Sequence, residues 1–190
     1  MIGLAPFEEE DCERLISWVD DARFLLQWAG PEYAFPLDKE QLLETSMRGQ
    51  GQTPEHLMFK ALNEETGEVI GHIELMHINR QTGTAHIGRV LVGEPELRGR
   101  GFGTEIVSRL VERAFVSMSL KRLTLTVYES NRPAVACYRG LGFEIRETRE
   151  NALMVDGENW TNLLMMLTSK RWRDSDPGWE TRNARISDSG

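Results

Sequence analysis

The stretch that most restricts this chain is Arg98-Gly99-Arg100-Gly101-Phe102-Gly103-Thr104, which follows the apolar run Val90-Leu91-Val92 and precedes a long amphipathic pattern. Three glycines alternating over five positions let the backbone turn with no Cβ in the way, so that successive N–H groups converge on one anion. The helix predicted to start there adds its positive end, and Arg98 and Arg100 are available as charge-assisted donors. A strand, a basic glycine turn and a helix describe a phosphate-binding crook. A dinucleotide fingerprint would need a third glycine where Thr104 stands, and an acidic residue about 20 positions on, where Lys121-Arg122 opens a strand instead. A nucleotide P-loop would need Gly-Lys-Ser/Thr, which the sequence lacks. A bare turn with no ligand is the bland alternative, against which stand two arginines placed amid the glycines.

Around this crook the periodicity alternates between strand and helix. A short strand over 2–7 and a helix over about 9–19 come first, and Leu25, Leu26 and Trp28 continue the apolar content up to Gly30-Pro31. Asp38 is an N-cap with Gln41 as its capping-box partner, opening a second helix. The runs 57–62, 69–78 and 84–92 form a three-stranded antiparallel meander. A helix over 104–118 carries Val107, Leu110, Val111, Ala114 and Met118 on one side; a strand over 122–128 alternates Leu123, Leu125 and Val127 with threonines; a short helix spans 133–141. Strands at 143–148 and 162–168 close the sheet. The expectation is an α/β (α+β) fold with a mixed, mostly antiparallel sheet of about seven strands and four helices, in one domain over 1–169. A polar, mobile tail over 170–190 is expected beyond it, in which Trp172 and Trp179 could dock on the domain or on a second subunit.

Composition narrows the function. At 190 residues with a formal charge of −8, the chain argues against nucleic-acid backbone binding, which needs a cationic surface. No apolar run approaches the roughly 20 residues of a membrane span, and the start has neither a basic region nor a leader-like apolar run, so the expected location is cytoplasmic. Two distant cysteines, Cys12 and Cys137, read as reduced thiols. The acidic run Glu8-Glu9-Glu10-Asp11 reads either as a solvated helix start or as a rim that attracts amines.

A second block, Asn131-Arg132-Pro133-Ala134-Val135-Ala136-Cys137-Tyr138-Arg139-Gly140-Leu141-Gly142-Phe143, follows the next strand. It resembles the Asn-x-x-Ala-x-x-x-Tyr-x-x-x-Gly-Phe pattern of the GNAT superfamily of N-acetyltransferases, and Arg98-x-x-Gly101-x-Gly103 resembles that family's Gln/Arg-x-x-Gly-x-Gly/Ala signature for the coenzyme A diphosphate. The resemblance covers about residues 2–168, and Trp18 and Trp28 lean toward the ribosomal-protein N-terminal acetylase-like branch.

The resemblance implies acetyl-CoA as co-substrate, held by residues 98–104, with the strands 84–92 and 122–128 splayed to admit its pantetheine. Main-chain groups of Val90, Leu91 and Val92 would pair with that arm, one N–H polarising the thioester carbonyl, Asn131 would bond the arm, and Ala134 would also contribute to cofactor binding. Tyr138 would protonate the leaving sulfur. Some relatives carry a glutamate twelve residues before the tyrosine; Thr126 stands there. Candidate bases are therefore Glu74, which shares a strand face with His72, and His86 on the neighbouring strand, with Glu129 in a loop as a further one. His77 lies an odd number of residues from His72, so no metal site is expected. The expected function is acetyl transfer to a primary amine, whether protein N-terminus, polyamine, amino acid or aminoglycoside, by a monomer or homodimer. A catalytically silent coenzyme A sensor is the alternative, and a nicotinamide-dependent enzyme a third.

Overall fold

The structure is a computed structural model, and it describes residues 1–175. Seven strands form one sheet: β1 (Ile2–Pro6), β2 (Leu57–Asn63), β3 (Val69–Asn79), β4 (Thr84–Val92), β5 (Arg122–Tyr128), β6 (Glu144–Val155) and β7 (Glu158–Thr168). Their order is β1-β2-β3-β4-β5-β7-β6. Only β4 and β5 run parallel, because a helix connects them; the other neighbours are antiparallel. The helices are α1 (Cys12–Ser17), α2 (Ala22–Ala29), α3 (Lys39–Met47), α4 (Phe102–Glu112), α5 (Arg132–Gly140) and α6 (Ser169–Ser175).

Two apolar layers sandwich the sheet. On one face α4 buries Ile106, Val107, Leu110 and Val111, and α5 buries Val135 and Tyr138, against Ile73, Leu75, Ile87, Leu123, Leu125 and Met165. On the other, α1 to α3 pack Leu15, Trp18, Leu25 and Leu42 onto Met58 and Leu91. Periodicity dictates this division: Leu123, Leu125 and Val127 alternate on β5, and the α4 residues recur every three to four positions. The acidic run near residue 10 is tied down by distant cations, Lys60 to Glu8 and Asp11, and Lys39 to Glu9.

Four details differ from expectation. Residues 22–29 are a helix of their own, capped by Asp21, whose carboxylate accepts the Phe24 N–H at 2.7 Å. Asp38 caps α3 by accepting the Gln41 N–H, but the Gln41 side chain reaches the Ala34 and Pro36 backbone instead of completing a capping box. The closing strands are much longer than 143–148 and 162–168. They form one hairpin turned at Asp156-Gly157, whose φ of 50° and 81° suit a tight turn. Because β6 is an edge strand exposed along most of its length, residues such as Arg149, Glu150 and Asn151 carry no apolar alternation to betray it.

Residues 170–175, expected in the tail, belong to α6, because Trp172 is buried and packs 5.6 Å ring to ring from Phe115. Trp179 and the rest of that tail lie outside the described residues. Among the described residues no helix is long and apolar enough to cross a membrane.

Candidate active site

The strand and the crook meet where the sheet comes apart. β4 pairs with β5 from Thr84↔Arg122 to Ile87↔Leu125, and no β4–β5 pair follows. Beyond that point β5 continues to pair with β7 as far as Tyr128. The edge of β4 that faces β5 over Gly88–Val92 is therefore left without a strand, which is the opening an extended, amide-bearing ligand would fill.

A bulge lies at the start of this opening. His72 pairs with Leu91 and Glu74 with Gly88, so Ile73 alone faces both Arg89 and Val90, and Arg89 takes a left-handed φ of 50°. The extra residue reverses the faces of β4. Ala85 and Ile87 point into the α4 layer; after the bulge Val90 and Val92 do so, and Leu91 joins the α1–α3 layer.

Arg89 turns with Leu91 into a buried charged cluster. Its Nη1 donates to Glu74 Oε2 at 2.7 Å and to the Tyr33 hydroxyl at 2.9 Å, and its Nη2 to Glu32 Oε2 at 2.8 Å. Glu74 also takes His56 Nε2 at 2.6 Å and His72 Nε2 at 2.9 Å. Burial alone would raise the Glu74 pKa, yet the hydrogen bonds from His56 and His72 and the Arg89 charge outweigh it and hold the carboxyl well below the usual range.

These facts correct one expectation and refine another. Glu74 shares a face with His72 as the period required, but it is 0% exposed with both oxygens engaged, so it is a fixed buried anion and no base for an incoming amine. His86 is half-buried with Nδ1 3.0 Å from Thr124 Oγ1, next to the last paired β4 residue. Burial, and then the neighbouring His77, bring its pKa down to about 4, which leaves it neutral and weakly basic at pH 7.

Past β4 the chain enters the crook. Gly99 and Gly101 have φ of 73° and 90°, and a Cβ on either would meet nothing within 4 Å, so the turn is open and glycine is required by conformation alone. Gly101 is the N-cap of α4 and no side chain caps that helix, so its first N–H groups are left for another acceptor. Phe102, Gly103 and Thr104 form its first turn. Arg98 is less available than expected. Its Nε donates to Val92 O at 3.0 Å and its Nη2 to Gly93 O at 2.7 Å, which clamps the turn to the strand end. Arg100 is exposed, with its guanidinium 5.9 Å from the Phe102 ring.

Helix α5 is held beside this turn: Thr104 Oγ1 donates to Cys137 Sγ at 3.2 Å, and Asn131 Oδ1 caps the helix by accepting the Ala134 N–H at 3.3 Å. Tyr138 packs in the same layer as Val90 and Val92, 6.1 Å ring to ring from Phe143, and its hydroxyl has no hydrogen bond to a described residue. Burial pushes its pKa well up, so the phenol stays protonated and keeps a proton to donate. An open glycine turn, an uncapped helix start and an unpaired strand edge together fit a diphosphate followed by an amide-bearing arm.

Sequence reasoning missed Arg89, Glu32, Tyr33 and His56. One signal was present: continuing the alternation of Ala85 and Ile87 puts Arg89 on the apolar face, and a charge in that register marks a bulge.

Comparison with known proteins agrees with this geometry. In sequence the chain is 24% identical over 157 residues to spermidine N(1)-acetyltransferase of Escherichia coli (strain K12), covering 83% of this chain and 80% of that one. It is 26% identical over 151 residues to an N-acetyltransferase 9-like protein of Caenorhabditis briggsae, covering 74% and 73%. In structure it matches spermidine N-acetyltransferase from Vibrio cholerae in complex with CoA and spermine with a TM-score of 0.76 at 20% identity, over 90% of this chain and 97% of that one, which shows the shared fold. The model of the acetyltransferase (GNAT) family matches residues 10–143, a span that holds the opened β4 edge, the glycine turn and Tyr138, and the chain belongs to that family.

Proposed function

We propose that the chain transfers the acetyl group of acetyl-CoA to a primary amine of a cationic small molecule, polyamines foremost, while both substrates are bound. The observation that carries this reading is the parting of β4 from β5 after Ile87 and Leu125, immediately before the glycine turn and in the layer that holds Tyr138. Family membership supports acetyl transfer, and the charge of −8 together with relatives named for spermidine supports a polyamine acceptor.

Acetyl-CoA supplies a thioester carbonyl open to attack by nitrogen. The α4 amides and Arg100 would hold its diphosphate, with Arg98 bracing the turn. The main-chain groups of Val90 and the Val92 N–H would pair with its arm, since Leu91 pairs toward β3 and the Val92 carbonyl already accepts from Arg98, with Asn131 and Ala134 at the α5 end. The acceptor sheds a proton to water, since Glu74 is enclosed and His86 is a weak base. Its nitrogen forms the C–N bond and the C–S bond breaks. The Tyr138 hydroxyl gives its proton to the departing sulfur, and the surplus proton on nitrogen restores the phenol, so that amine and acetyl-CoA become amide and free thiol.

Thiol release from acetyl-CoA, followed with spermidine, spermine, amino acids, aminoglycosides and peptides with free N-termini, tests the reading; turnover on a polyamine is expected. Two observations favour a coenzyme A sensor instead: Thr126 where some relatives carry a glutamate, and the enclosure of Glu74. Coenzyme A binding with no thiol release on any amine would select it.

A further inference from the structure

The strained residue of β4 and the most enclosed ion pair among the described residues belong to one device. For a residue with a Cβ, a left-handed φ is strained and persists only where the surroundings over-determine it. Arg89 is over-determined from three directions. Glu74 on β3 and Glu32 in the turn before α3 take the two ends of its guanidinium, and the Tyr33 ring lies 4.1 Å from it. The Tyr33 hydroxyl accepts from Arg89 and passes its own proton to Thr45 Oγ1 at 3.0 Å, and Thr45 donates on to Gln41 O at 3.1 Å, so the anchor reaches into α3. His56 and His72 fix the far side of Glu74.

A buried ion pair is an expensive way to fill space, and an apolar residue in a regular strand would fill it at lower cost. What the ion pair secures is the backbone. Gly93 N–H donates to Ile70 O, so Gly93 faces β3. By the two-residue period Leu91 N–H faces β3 as well, and Val90 N–H faces the opening. The Val90 amide belongs to the peptide that directly follows Arg89, so the Arg89 backbone conformation sets its direction.

We infer that Arg89 is a positioning residue: its guanidinium, gripped by Glu74 and Glu32, holds the β4 bulge so that the Val90 N–H points at the carbonyl of the bound thioester. The inference rests on the acetyl-transfer reading above. It assigns a use to the buried cluster, for which the proposed reaction has no other.

The test compares the wild type with Arg89→Lys, which keeps the cation but loses the planar fork, and with Arg89→Met/Glu74→Gln, which removes both charges together so that neither is left buried alone. Three quantities are measured: Kd for coenzyme A, kcat at saturating amine, and the carbonyl stretching band of bound acetyl-CoA labelled with 13C at the carbonyl, by difference infrared spectroscopy without amine. In the wild type the band lies below its position in free acetyl-CoA. In both variants it moves back toward the free position, kcat falls by about 10-fold or more, and Kd for coenzyme A stays within about 3-fold. Should the double variant not fold, Arg89→Lys is read on the same three quantities. A band and a kcat unchanged in a folded variant overturn the positioning role alone. A wild-type band that does not shift on binding overturns the acetyl-transfer geometry itself, and the inference with it.

Discussion

Gly93 lies against the indole of Trp18 so closely that a Cβ at residue 93 would sit 2.1 Å from Trp18 Cε2. Trp18 Nε1 also donates to Glu94 Oε1 at 3.2 Å, and Arg98, the residue after the turn Pro95–Leu97, stands 5.5 Å over the Phe24 ring. The segment that leads from β4 into the glycine crook is thus fastened to α1 and α2, the helices that cover the opposite face of the sheet.

Gly93→Ala should therefore be overpacked. The indole is buried and cannot move aside, so a loss of about 1–3 kcal/mol is expected, seen as a Tm lowered by roughly 2–10 °C in thermal denaturation. Pairing it with Trp18→Leu relieves the clash and recovers part of the loss. An unchanged Tm in Gly93→Ala would show that the indole yields.

Tyr138→Phe removes the only polar atom of a well-packed ring, so the fold and coenzyme A affinity should persist while kcat falls by about 100-fold. Steady-state kinetics alongside calorimetric titration with coenzyme A separates the two effects. Turnover equal to wild type removes the phenol from the mechanism.

Gly101→Ala places a Cβ at a φ of 90° without touching any neighbour, so its cost is conformational strain in the crook and not a clash. With strain on the order of 1–2 kcal/mol, Kd for coenzyme A should rise about 5- to 30-fold. In the wild type, thermal stabilisation by acetyl-CoA and none by NAD is expected; stabilisation by NAD would revive the nicotinamide reading.

His86 makes stability depend on pH in a definite direction. Its folded pKa of about 4 lies below the usual histidine value of 6.5, so between those values the unfolded chain takes up a proton that the folded chain refuses. Stability contributed by the neutral imidazole is present above pH 6.5 and is lost as pH falls toward about 4. Glu74 acts elsewhere: its depressed pKa contributes stability above the usual glutamate range that is lost only on further acidification. In urea denaturation across pH 4.5–6.5, His86→Gln should lose less stability on acidification than the wild type, by about 1–3 kcal/mol. Equal slopes would contradict this.

Local pattern made much of this molecule legible. The alternation of Leu123, Leu125 and Val127, the helical spacing from Val107 to Val111, the cap at Asp38, and the glycine spacing at 99, 101 and 103 are short-range features. Each is fixed by backbone sterics and side-chain period within one element. They gave the succession of strands and helices along the chain and the glycine turn between β4 and α4. The exposed β6 carried no such pattern, because an edge strand is specified by the partner it pairs with and not by burial of its own side chains.

Sequence by itself determined where the chain turns, which residues face the core and where glycines open the start of α4, since sterics and periodicity act over a few residues. Tertiary structure alone decided that β4 parts from β5 after Ile87, that Arg89 bulges toward Glu74 and Glu32, and that Glu74 is sealed from solvent. Those outcomes depend on contacts between residues 15 to 57 positions apart, whose energies exist only once the sheet and its covering helices have assembled.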